Sequence, residues 1–408
     1  MGLPRLRALD ATPMEEQGER IIVLRDPEGY TDLLMLLSPV EALVAFQLNG
    51  RLGAREIADQ VVAQTGLKSF PVEFIELLVA KLDENYMLDS KRFAARKKQV
   101  LDDFRRAKVR PSLLAGRGYS AQPAKLTREL DAFFLADGAP GRRPEPDGSA
   151  PPSGLVAPHI DFQRGKAGYA WAYGEILRSG LADLYVILGV AHASPSTPIV
   201  LTEKDYDTPF GPARVDAELA RAFADGVPFD LRLDELTHRS EHSIEMQAVL
   251  LKYAQKKLGG EFRILPLLCS SADLEGCDPG ERTTAVLDRL EQLLRGYPGK
   301  VCLLASVDLA HIGPCFGDEK EVDEAFLAET KKRDHEGLER LLAQDAAGFL
   351  DSVMRDDNRR KVCGVSALHA FSRLHGKLFP NAAGELLHYG HAADPTGGEV
   401  TFASMSFR

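Results

Sequence analysis

The chain is poor in cysteine, and the few it has form no pairing pattern. Five cysteines (Cys269, Cys277, Cys302, Cys315 and Cys363) occur in 408 residues, with no C-x-x-C pair among them. That excludes a disulfide scaffold and predicts free thiols in a reduced compartment. No apolar run approaches the roughly 20 residues that span a bilayer. Residues 1–20 mix charges and lack an apolar core, so neither a leader nor a membrane association is expected. These absences together predict a cytoplasmic protein. A basic surplus is missing too: the formal net charge is −10, which argues against nucleic acid as a partner. No G-x-G-x-x-G loop, G-x-x-x-x-G-K-[ST] loop or G-x-S-x-G elbow occurs. Nucleotide-driven and serine-hydrolase chemistry are therefore poorly supported.

What remains is an ordinary globular composition, 44% hydrophobic and 27% charged, long enough for two or three domains. Residues 20–90 read as a small α+β unit. Arg20–Arg25 has the pattern of a strand and Asp26-Pro27-Glu28-Gly29 that of a turn. Ser38-Pro39-Val40-Glu41 is a cap with proline at the first helical position. Further helices are expected over Ala54–Thr65 and Val72–Asn85, and a wing strand over Tyr86–Asp89. Two or three short helices with an edge hairpin resemble a winged-helix module. The basic run between Lys91 and Arg110 reads as a solvated connecting helix. Residues 135–153, rich in proline, glycine and charge, read as a flexible surface segment.

From residue 154 strands and helices alternate. Strands are expected at Leu155–Ala157, Leu184–Leu188, Phe262–Leu268, Val301–Ala305 and Glu399–Phe407. Helices are expected around 169–178, 216–224, 240–256, 282–294, 323–343 and 364–375. This alternation predicts an α/β fold with a mainly parallel sheet flanked by helices on both faces.

Histidines stand where those strands end. His159 follows Leu155-Val156-Ala157-Pro158, and Pro158 keeps Ala157 extended. His192 follows Val186–Ala191, in which Gly189 would permit a sharp turn. Asp308 and His311 follow Val301–Ala305. Ligands in open α/β sheets bind beyond the carboxyl ends of strands, so these segments can share one crevice. His159 and His192 are candidate metal ligands, each with the alternative of a buried or capping histidine. His242 falls in the first turn of a helix capped by Ser240, where a neutral imidazole is favoured. Glu245 would orient that ring or serve as a capping carboxylate, and His238 reads as a surface residue. Asp308 and His311 offer a carboxylate and an imidazole for acid–base work or ligation. Cys363 lies at a helix N-terminus, where a thiolate is favoured. A thiolate with imidazoles suits iron, copper or zinc rather than magnesium. The other four cysteines read as structural. His388 and His391 flank Tyr389-Gly390 and carry no firm assignment.

Over residues 111–408 these motifs resemble the MEMO family, also called AmmeMemoRadiSam system protein B. The resemblance rests on Ala115-Gly116-Arg117-Gly118-Tyr119, Ala157-Pro158-His159, Gly189-Val190-Ala191-His192, Glu241-His242-Ser243-Ile244-Glu245-Met246-Gln247, Ser306-Val307-Asp308-Leu309-Ala310-His311 and Cys363-Gly364, in the family's order. It implies a fold similar to class III extradiol dioxygenases, and makes residues 135–153 an insertion within the large domain. It implies that His159 and His192 ligate an iron or copper ion, with zinc as an alternative. Cys363 then takes the place of the dioxygenases' carboxylate, which puts ring cleavage in doubt. Asp308, His311 and His242 would line the pocket as catalytic groups. Residues 1–110 resemble the PqqD-like winged-helix modules that hold a peptide. The resemblance implies radical SAM and AMMECR-type partners. A redox or dioxygenase-like protein is the leading expectation; a non-catalytic peptide or partner adaptor and a metal-assisted hydrolase are the alternatives.

Overall fold

The computed structural model describes residues 2–16, 19–274 and 278–408; Cys277 lies outside them. The chain divides into two compact units, Met1–Arg106 and Ala107–Arg408.

In the smaller unit, β1 (Asp10–Glu16), β2 (Glu19–Arg25) and β3 (Met35–Leu37) form an antiparallel sheet in that order. Helices α1 (Pro39–Phe46), α2 (Ala54–Thr65), α3 (Val72–Glu84) and α4 (Lys91–Arg106) follow. The expected cap at Ser38 is present: Glu41 N–H donates to Ser38 Oγ (3.3 Å) and Ser38 N–H to Glu41 Oε2 (2.8 Å). Leu24, Leu37, Val44, Ile57, Val61, Ile75, Leu82 and Leu88 build the core. Arg7 and Asp26 pair within it (2.9 Å), with Asp26 also accepting the N–H groups of Tyr30 and Thr31. Residues 86–89 form no strand; Leu88 makes a single bridge to Leu6.

The larger unit runs β4 (Val109–Arg110), α5 (Pro123–Asp131), β5 (Gly154–Ala157), α6 (Lys166–Ser179), β6 (Leu184–Val190), β7 (Ile199–Leu201), β8 (Asp205–Tyr206), α7 (Ala217–Asp225) and α8 (Thr237–Ser240). It continues with α9 (Ser243–Leu258), β9 (Arg263–Cys269), α10 (Gly280–Arg295), β10 (Val301–Ser306), β11 (His311–Ile312), α11 (Glu324–Leu342), α12 (Ala346–Met354), α13 (Val365–Leu378), β12 (Gly384–Asp394) and β13 (Gly398–Phe407). The main sheet has the order β11-β13-β5-β10-β6-β9-β7, with β12 on β13. Its centre, β5-β10-β6-β9, is parallel, with Ala305 opposite both Val156 and Leu188. The strands outside that centre run antiparallel. Every residue of β6, Leu-Tyr-Val-Ile-Leu-Gly-Val, is buried, as a strand covered on both faces must be. Helices α6 and α9 pack together on one face; α13, backed by α10 and α12, covers β10, β6 and β9 on the other. The fold is thus mixed α/β with a mostly parallel central sheet.

Residues 136–153 carry no helix or strand. They are nonetheless tied to α6: Trp171 Nε1–H donates to Gly138 O (2.8 Å), and Arg178 pairs with Asp147 (3.0 Å).

Candidate metal centre

Three parallel strands stop in step, and a polar side chain follows each by two residues. β5 ends at Ala157, β6 at Val190 and β10 at Ser306; His159, His192 and Asp308 come next. Two helix entries complete the crevice. Glu241 and His242 precede α9, and Cys363 lies two residues before α13.

Close packing makes this convergence possible. A Cβ on Gly189 would fall 2.7 Å from Ile244 Cγ1 and 2.7 Å from Ser243 Oγ, so glycine lets α9 meet the end of β6. Gly189 serves by this approach rather than by a sharp turn, since β6 continues through Val190. A Cβ on Gly364 would fall 2.6 Å from Val307 Cβ, so the Cys363 segment also lies directly on the end of β10.

The histidine tautomers follow from their partners. His159 Nδ1 lies 2.9 Å from Ser306 O, an acceptor only, so Nδ1 carries the proton and Nε2 keeps its lone pair. That Nε2 stands 3.4 Å from Cys363 Sγ and 3.6 Å from Asp308 Oδ2. His192 Nδ1 donates to Glu241 Oε2 (2.9 Å), which again frees Nε2. The ring centroids of His159, His192 and His242 are 5.2–5.4 Å apart, with His192 and His242 stacked at 13°. One ligand atom each from His159, His192 and Cys363 lies within 4.8 Å of the others, as does one each from His192, Glu241 and His242. These are the two such clusters among the described residues.

The first cluster fits a metal ion better than the second. A tetrahedral ion with bonds of about 2.0–2.3 Å holds its ligand atoms roughly 3.3–3.6 Å apart, and the His159–Cys363 separation of 3.4 Å lies in that span. Glu241, by contrast, is already saturated. Its Oε2 accepts His192 N–H (3.1 Å) and Nδ1–H; its Oε1 accepts the N–H groups of His242 (2.8 Å) and Ser243 (2.9 Å). Glu241 is therefore the carboxylate behind His192, which fixes the ring and raises its basicity.

Burial and charge tune each group. Burial, reinforced by the His192 charge, holds His159 down to about 3. Burial likewise holds His242 down to about 4, against Glu241. Burial opposes charge on His192 too, but the hydrogen bond and charge of Glu241 outweigh it and raise its pKa. Glu241 resists burial through His192, His242 and the Ser243 N–H, and stays well below the usual carboxylate range. Burial raises Asp308 even though it accepts N–H bonds from His159 (3.0 Å) and Ile160 (3.1 Å). Burial, then the nearby Asp308 charge, pushes the Cys363 thiol well up. The helix entry thus yields no thiolate by itself; a bound cation would have to displace that proton.

Other expectations are met differently. His242 precedes α9 rather than lying in its first turn, and Ser240 ends the separate α8. His311 turns Nδ1 to the carbonyls of Leu309 and Lys361 (3.2 Å each), which leaves Nε2 as its basic atom. Glu245 neither orients His242 nor caps the helix. It pairs with the fully buried Arg110 and accepts from Ser112 Oγ, Leu113 N, Leu114 N and Tyr119 OH. Arg110 also donates to Glu241 O (2.7 Å), so this network seats the turn before α9. His238 is a correction: it is fully buried, not superficial, with ring atoms 2.7 Å from Tyr206 OH and 3.0 Å from Val200 O. Its burial depends on β7 and β8, strands too short to carry a sequence pattern of their own. His391 is exposed on β12 beside Glu399 (2.9 Å), and His388 packs against Phe402; neither joins the clusters. Cys269 and Cys302 are buried and Cys315 exposed, all free thiols.

Known proteins resemble this chain over most of its length. A family profile described as "Memo-like protein" matches residues 110–406. A MEMO1 family protein of Aquifex aeolicus is 27% identical over 99% of both chains. Relatives of the same description in Methanopyrus kandleri and Thermococcus kodakarensis are each 31% identical over 73% and 74% of this chain, and 99% of their own.

Proposed function

The chain belongs to the Memo-like protein family, and from that premise we propose that it binds an iron or copper ion through His159, His192 and Cys363 for redox chemistry. The observation that carries this reading is the convergence of two lone-pair nitrogens and one sulfur from three distant segments. The nitrogens' opposite ring atoms are both committed to fixed acceptors. Thiolate with imidazole favours soft or borderline ions. A bound iron or copper ion would supply one-electron chemistry there. The protein's own groups would then manage substrate and protons. Asp308, its carboxyl raised by burial, stands 3.6 Å from His159 Nε2 as the group placed to exchange protons there. His311 Nε2 accepts one, and His242, neutral and half-exposed, stacks on His192. The family resemblance would put sulfur where a dioxygenase carries its carboxylate, which favours redox binding over ring cleavage.

The small unit would present a peptide or dock a radical SAM or AMMECR-type partner, through a winged-helix-like surface. Support for its belonging with the large unit comes from the Aquifex aeolicus relative, which matches 99% of the chain.

Untagged full-length protein reconstituted anaerobically with Fe(II) or Cu(I) tests the reading. One equivalent bound, with reversible one-electron oxidation and reduction, is expected. Stoichiometric zinc with hydrolytic turnover and no redox response would instead favour a metal-assisted hydrolase.

A further inference from the structure

Cys363 arrives on a loop that does not hold its shape through its own backbone preferences. Asp357, Asn358 and Lys361 all have positive φ (57°, 53° and 53°), a region that Asp and Asn tolerate but that lysine adopts only when surroundings impose it. Besides the Lys361–Asp318 pair (2.6 Å), two anchors supply that constraint. Asn358 clips the loop internally, accepting Val362 N–H (2.9 Å) and donating to Val362 O (3.1 Å). The second anchor lies outside the loop. Arg360, buried, pairs with the buried Asp334 of α11.

Asp334 does more than neutralise Arg360. One oxygen takes the guanidinium; the other accepts Thr401 Oγ1–H (2.6 Å) and Tyr389 OH (3.0 Å). Thr401 Oγ1 in turn accepts Ala310 N–H (2.8 Å), while its carbonyl accepts Leu309 N–H (2.8 Å) and its N–H donates to Ala310 O (2.9 Å). Across the gap, Arg360 O accepts His311 N–H (2.8 Å) and Lys361 O faces His311 Nδ1 (3.2 Å). One carboxylate therefore grips both segments that reach the centre: the one bearing Cys363 and the one bearing Asp308 and His311.

We propose that Asp334 is a positioning residue for the metal centre, fixing the distance from the Cys363 sulfur to His159 through Arg360 on one side and Thr401 on the other. The inference rests on the metal-binding reading above. It predicts that loosening Asp334 withdraws the sulfur while leaving the imidazoles in place, because His159 and His192 are held by Ser306 and Glu241 instead.

Cobalt(II) is the probe, since its thiolate charge-transfer absorption reports sulfur ligation directly. In full-length protein, the parent gives that band and Cys363→Ser abolishes it. Asp334→Asn is expected to bind cobalt about 10–100-fold more weakly, with the band reduced but ligand-field absorption from the imidazoles retained. Thr401→Val should show the same loss of band, and Thr401→Ser, which keeps the hydroxyl, should restore it; this pair decides the matter even if Asp334→Asn fails to fold. Parent-like affinity and a full band in folded Asp334→Asn, or equal spectra for Thr401→Val and Thr401→Ser, would overturn the role of Asp334. A parent without any thiolate band would instead defeat the metal-binding reading, and this inference with it.

Discussion

Glu241→Gln is the most informative single substitution, because it changes a hydrogen-bond pattern without changing a shape. The native carboxylate accepts four N–H donors, two on each oxygen. Glutamine keeps one accepting oxygen and turns an NH2 group toward the other pair. If the NH2 faces His192, two donors, its N–H and Nδ1–H, lose their acceptor. Each unmatched buried donor costs about 1–3 kcal/mol. The ring can escape half of that by moving its proton to Nε2 and accepting from the glutamine amide. That escape protonates the atom the metal needs. The reverse amide orientation leaves His242 N–H and Ser243 N–H facing NH2, which unseats the start of α9. Either way, metal affinity should fall by about 10–100-fold, or about 1.4–2.7 kcal/mol. Competition titration of metal-free protein against a chromophoric chelator measures this, with circular dichroism confirming that the helices persist. A folded variant whose dissociation constant stays within about twofold of the parent's would refute the reasoning.

Gly189→Ala forces a Cβ to within 2.7 Å of Ser243 Oγ and Ile244 Cγ1, so it should separate Glu241 from His192; a destabilisation of about 1–3 kcal/mol in urea melts is expected, together with weaker metal binding. Glu245→Ala leaves Arg110 charged and buried, and should cost about 3–5 kcal/mol; an unchanged melting midpoint would contradict the role given to the pair. Metal-free protein should also be acid-sensitive. His159 and His238 are held to about 3, and His369 and His375 to about 4, by burial, against roughly 6.5 in the unfolded chain. The unfolded state therefore binds more protons as pH falls from about 6.5 toward 4, and stability is lost across that window. Each histidine removes about 1 kcal/mol between pH 6.5 and 5.5, so the four remove about 4 kcal/mol of a total that for such domains is about 5–15 kcal/mol. Urea midpoints that coincide at pH 7.5 and 5.5 would show that these rings are not held neutral.

Much of the centre was legible in the sequence because strand ends announce themselves. Short apolar runs followed by Pro158-His159, Ala191-His192 and Val307-Asp308 locate the crevice without coordinates, since β5, β6 and β10 are buried on both faces and read as continuous apolar segments. The alternation from residue 154 likewise exposes the α/β order. What escaped were elements whose identity depends on pairing. β7 and β8, of three and two residues, carry no periodic signal of their own, so the burial of His238 between them was invisible. β12 is an edge strand of mixed burial and has no clean alternation. Glu241 also lacked a signature beyond standing before His242; its role needs the close approach at Gly189, which only the packed structure displays. The Arg110–Glu245 and Asp334–Arg360 pairs join residues 135 and 26 positions apart, a link that no local pattern encodes.

The central claim is that His159, His192 and Cys363 share one ion, and an anomalous-difference map tests it most directly. Crystals of full-length protein loaded anaerobically with Fe(II) or Cu(I), measured across the metal's absorption edge, should show a single strong peak about 2.0–2.3 Å from a nitrogen of each histidine and from the Cys363 sulfur. A peak bound elsewhere, or full loading with no density among these three side chains, would contradict the account.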